Sequence, residues 1–86
     1  MADVPVFNCH VYVSPPDGAG QVTARMASLP EIVGSGPRER DALRTLVQNF
    51  KQAAAGYLAA GQPIPWRTEP LPLDPGDQQR WVPVHL

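Results

Sequence analysis

The chain has 86 residues, 43% of them hydrophobic and 17% charged, a size and balance that suit one globular domain with a thin core and exclude a second. Seven basic residues against eight acidic ones give a net charge of -1, so no global field draws the chain onto nucleic acid, and any such contact must be local. No apolar run nears the roughly 20 residues of a membrane span, and the N-terminus lacks the charged and apolar regions of a secretory signal, so no membrane association and a cytoplasmic location are expected.

Val6 to Val13 alternates, with Phe7, Cys9, Val11 and Val13 on one side and Asn8, His10 and Tyr12 on the other, which predicts a first strand with one buried face. Cys9 is the sole cysteine; it excludes an intrachain disulfide and a thiol-based zinc site and suits a small buried position. Ser14 to Gly20 gathers turn formers around Pro16-Asp17-Gly18 and predicts a hairpin. Gln21 to Met26 alternates again, with Val22, Ala24 and Met26 inward, as a second strand. A short third strand is expected at Ile32-Val33-Gly34, after the interruption at Ser28-Leu29-Pro30-Glu31.

An amphipathic helix is predicted over about 37 to 60. Pro37 is tolerated in the first turn, Glu39 and Asp41 favour the positive end of the dipole, and Gly61 and Pro63 end the helix. Its apolar stripe reads Leu43, Leu46, Val47, Phe50, Ala54, Tyr57 and Leu58, flanked by the small residues Ala42, Ala53, Gly56 and Ala60. Prolines at 63, 65, 70, 72 and 75 then make an extended connection. Ile64, Trp66, Leu71 and Leu73 make it too apolar for a free linker, so part of it is expected to lie along the domain. Arg80 to Leu86 alternates as a fourth strand, and Pro83, which cannot donate to a ladder, assigns it to a sheet edge.

Leu29-Pro30-Glu31-Ile32-Val33, Gly36, Asp41-Ala42-Leu43, Tyr57-Leu58 and Gly61-Gln62-Pro63-Ile64-Pro65, in this order and spacing, resemble the HicB-type antitoxin family over about Phe7 to Leu86. The resemblance implies an α+β partial RNase H-like domain, β-β-β-α-β, covering residues 1–86. Its four-stranded mixed sheet would have the order 3-2-1-4 and one helix on one face. The last strand would run parallel to the first through a right-handed crossover. It also implies a partner, a small HicA-type RNase toxin whose active surface the domain masks. Pro37-Arg38 stands where the family has Asp-Thr, so Gly36 or Ser35 is expected to cap the helix. Family antitoxins commonly continue into a DNA-binding domain, whereas this sequence ends at Leu86, so operator DNA binding is not expected.

Candidate sites follow from faces. One helix shields one side of the sheet, which leaves His10, Tyr12, Thr23, Arg25, Trp81 and His85 on the other. Tyr, Trp and Arg are the types enriched at binding hot spots, so His10, Tyr12, Arg25, Trp81 and His85 form the expected partner or oligomer surface, with a homodimer or larger assembly foreseen. His10 and His85 become neighbours if the first and last strands pair, but two histidines without a third ligand make a poor metal site. Arg40, Arg44 and Lys51 fall within about 40° of one another on the helix, a solvated rim or a weak nucleic-acid contact. The first strand carries no carboxylate, and Asp and Glu fall in ends, loops or the helix start, so metal-dependent hydrolysis is not expected. No enzyme activity and no cofactor or metal are expected. The function expected is a non-catalytic, antitoxin-like protein-binding module; the alternatives are a small RNA-binding domain and a stand-alone oligomeric relative.

Overall fold

The computed structural model describes residues 6–69 and 72–85. Five elements follow in order: β1 (Val6–Val13), β2 (Val22–Met26), β3 (Val33–Gly36), α1 (Glu39–Ala59) and β4 (Gln78–His85). The strands form one sheet in the order β3-β2-β1-β4, with α1 over β2 and β3. This is the expected α+β arrangement. Leu86, the predicted end of the fourth strand, and Leu71 of the connection lie outside the described residues.

The hairpin between β1 and β2 closes on Asp17. Its carboxylate accepts from the Ala19 and Gln21 amides, both at 2.9 Å, and Gly20 supplies the left-handed φ of 79° that the turn needs. β3 begins one residue later than expected and turns Gly34 and Gly36 inward. The helix backbone rests directly on these glycines. A Cβ built on Gly34 would stand 2.3 Å from the Leu46 amide nitrogen and 2.5 Å from the Ala42 carbonyl oxygen.

This close approach sets the rotation of α1. Its buried line is Ala42, Leu46, Phe50 and Ala54, with Leu43 and Val47 half-buried, whereas Leu58 is exposed. The predicted stripe therefore turns toward the small-residue flank, because Ala42 fits where the glycines leave room and Leu43 does not. The helix N-cap is Arg38, in extended conformation and without a side-chain hydrogen bond, rather than Gly36 or Ser35. Arg80 pairs at this end through two nitrogens with the Glu39 carboxylate, at 3.2 and 3.0 Å, which ties β4 to the first helical turn. At the other end Gly61 has φ 68°. The Gly61 amide donates to the Leu58 carbonyl and the Gln62 amide to that of Tyr57, the bonding of a Schellman stop.

One expectation is overturned: β4 runs antiparallel to β1, from Val6 opposite His85 to Val13 opposite Gln78. All three strand pairings are antiparallel, so the sheet is not mixed and there is no parallel crossover. The reason is the connection. α1 carries the chain roughly 32 Å at 1.5 Å per residue, and a short link from its C-terminus would start a strand parallel to β1. Instead the proline-rich stretch returns the chain to the helix's starting end. The Arg67 amide donates to the Ser28 carbonyl, Asp74 and Asp77 reach Arg25, and Gly76 arrives beside Pro15. Only there does β4 begin.

The core is a single cluster of Cys9, Val11, Val13, Val22, Ala24, Met26, Leu29, Ile32, Val84 and the four buried helix residues. Trp66 of the connection closes its end, with ring centroids 6.0 Å from Phe7 and 5.7 Å from Phe50, while Phe7 meets Phe50 edge-on at 5.5 Å.

Candidate partner-binding surface

The sheet face turned away from α1 carries His10 and Tyr12 from β1, Arg25 from β2 and Gln79, Trp81 and His85 from β4. Antiparallel register sets His10 opposite Trp81 and Tyr12 opposite Gln79. The His10 and Trp81 rings stack at 4.2 Å and 9°. His10 also meets Tyr12 edge-on at 4.9 Å, and its Nε2 lies 2.7 Å from Gln79 Oε1. The Trp81 indole is held by this stack yet remains 68% exposed.

Tyr12 and Arg25 do not form the open surface expected of them. Tyr12 is buried at 4% exposure. The Arg25 guanidinium lies 5.5 Å from its ring centroid and is held by Asp77 at 2.6 Å and Asp74 at 3.1 Å. The returning connection thus covers this half of the face, a role its prolines and apolar residues foreshadow only as contact with the body of the domain. His85 is exposed but stands opposite Val6. It lies four residues along β4 from Trp81, roughly 13 Å at strand spacing, so it is not a neighbour of His10. His10 and Trp81 remain as the joined, accessible pair, with His85 separate on the same strand.

β4 is an edge strand, and the ladder defines which of its backbone groups are free. The Ala27 amide donates to the His10 carbonyl, so the even-numbered residues of β1 point their backbone groups toward β2. Their β4 partners Trp81, Pro83 and His85 must then point theirs outward, since antiparallel pairs alternate. Pro83 therefore places its missing N–H on the outer edge, where it interrupts continuous pairing with another strand.

Beside the stack lies a cleft of about 470 Å³, lined by Phe7, Asn8, Cys9, His10, Met26, Ser28, Trp66, Arg67 and Trp81. It exists because β2 pairs with β1 only over Val11 to Val13, leaving the first half of β1 without a neighbour on that side. Trp66 and Arg67 were missed as site residues in the sequence, where they look like part of a connection. The available signal was an aromatic and a basic residue side by side in an apolar, proline-rich stretch.

Arg40, Arg44 and Lys51 are exposed on α1 and take part in no ion pair among the described residues. No group of three His, Cys, Asp or Glu side chains that could hold a metal ion occurs among the described residues, and no described helix is long and apolar enough to cross a membrane. Cys9 is buried, and desolvation pushes its thiol up to about 11. No family model, curated protein or solved structure matches the chain.

Proposed function

We propose that the domain is a non-catalytic protein-binding module that acts by masking a partner with its β4 surface. The observation that carries this reading is Trp81: a large indole on an edge strand, fixed by stacking on His10, with most of its surface in water. A preordered aromatic side chain loses little entropy on contact, and Trp is among the residue types enriched at binding hot spots. The partner implied by the HicB resemblance is a small HicA-type RNase toxin, and the module's action on it is occlusion of the RNA-cleaving surface. The same surface suits a second copy of the chain, so free protein is expected to form a homodimer that toxin binding dissolves or extends. The RNA-binding alternative rests on Arg40, Arg44 and Lys51, which lie on the helix side of the molecule, away from Trp81.

An RNA-cleavage assay tests the reading. Added chain should stop cleavage by a HicA-type toxin at equimolar ratio, and Trp81→Ala should require at least about tenfold more protein, the scale of a hot-spot loss. Cleavage that continues at molar excess of the chain would remove the antitoxin reading, and RNA turnover by the chain alone would remove the non-catalytic one.

A further inference from the structure

We propose that the cleft between Trp66 and Trp81 is the pocket for the partner's anchor, an aromatic side chain flanked by a carboxylate; this rests on the protein-binding reading above. The lining is chemically selective. Trp66 and Trp81 are 41% and 68% exposed, and with Phe7 and the His10 imidazole they offer ring faces and edges to an inserted ring. The volume of about 470 Å³ lies within the range of sites that hold a compact organic group.

Charge supplies the second half of the argument. Arg67 lines the cleft, its Nε donates to the Glu69 carbonyl at 3.2 Å, and no carboxylate pairs with it among the described residues. The guanidinium thus keeps donors for an incoming acidic group, in the fork geometry that suits a carboxylate. Backbone supplies the third. Asn8 lies two residues before His10 and on the same edge of β1, so its N–H and C=O point to the side that β2 leaves empty, where an extended segment would find a donor and an acceptor.

The two indole N–H signals in the proton–nitrogen NMR spectrum report on the cleft directly, because the chain has only two tryptophans. The probes are three blocked dipeptide amides, N-acetyl-Glu-Phe, N-acetyl-Gln-Phe and N-acetyl-Glu-Ala, titrated into the full chain. The Glu-Phe probe should move both indole signals saturably, the Gln-Phe probe should bind about two- to fivefold more weakly, and the Glu-Ala probe should leave the indoles in place. Arg67→Gln, which alters no core residue, should bring Glu-Phe down to the affinity of Gln-Phe. Trp66→Ala should abolish binding, and if that variant unfolds the Arg67→Gln comparison decides. Equal affinity for Glu-Phe and Gln-Phe, or indole signals unmoved by any probe, would overturn the cleft. Toxin inhibition that persists alongside such a result would show that the cleft alone had failed and not the protein-binding function.

Discussion

At the scale of single residues, what a side chain can do here is decided by which face its strand position gives it. Cys9 points inward and Trp81 outward, so one is sealed and the other stands in water. Burial moves the Cys9 thiol from its ordinary 9.0 up to about 11. The folded chain keeps that proton where the unfolded chain has released it, so the stabilisation is full below about pH 9 and is lost as pH rises toward 11. Denaturant midpoints should therefore fall across this window, and less so in Cys9→Ala. A thiol reagent at pH 8 should label the unfolded chain and spare the native one; rapid native labelling would show that Cys9 is not buried. Phe50 is the corresponding packing test. It is fully buried and touches both Phe7 and Trp66, so Phe50→Ala should cost about 3–5 kcal/mol. A loss below about 1 kcal/mol in chemical denaturation would mean that the core is assembled otherwise.

At the scale of elements, the contact of α1 with β3 is made by absent side chains. Gly34→Ala sets a methyl against helix backbone at Leu46 and Ala42, atoms that cannot swing aside, and should destabilise by about 1–3 kcal/mol or more. Gly56→Ala makes the same chemical change within α1 with nothing within 4 Å and should stabilise by about 0.5–1 kcal/mol. Equal effects at both sites would deny the close approach of helix and sheet. The strand alternations, the helix with its Gly61 stop and the edge position of β4 were legible in the sequence because each follows from local periodicity or from one residue's backbone chemistry. The rotation of α1 was not, since Gly34 and Gly36 carry no hydrophobic signal and their effect appears only when the helix is laid on them. Nor was the direction of β4. That depends on where a proline-rich connection travels, and the Arg25 links to Asp74 and Asp77 that fix its path join residues about fifty positions apart in the chain.

At the scale of the whole molecule, the returning connection divides the sheet's outer face. One half, at Tyr12 and Arg25, is closed by the chain itself; the other, at His10 and Trp81, stays open beside the cleft that Trp66 and Arg67 complete. The shared outer face of His10 and Trp81 was legible from alternation alone, whereas the closure over Tyr12 and the contribution of the connection required the fold. This division leaves the exposed indole of the outer face on β4, away from the basic row on α1. The most direct test is calorimetric titration of the chain with a catalytically inactive HicA-type toxin, comparing wild type, Trp81→Ala and the triple variant Arg40→Gln, Arg44→Gln, Lys51→Gln. The expected result is at least about tenfold weaker binding for Trp81→Ala and unchanged affinity for the triple variant. Affinity lost in the triple variant and kept in Trp81→Ala would contradict the account and assign the contact to the helix.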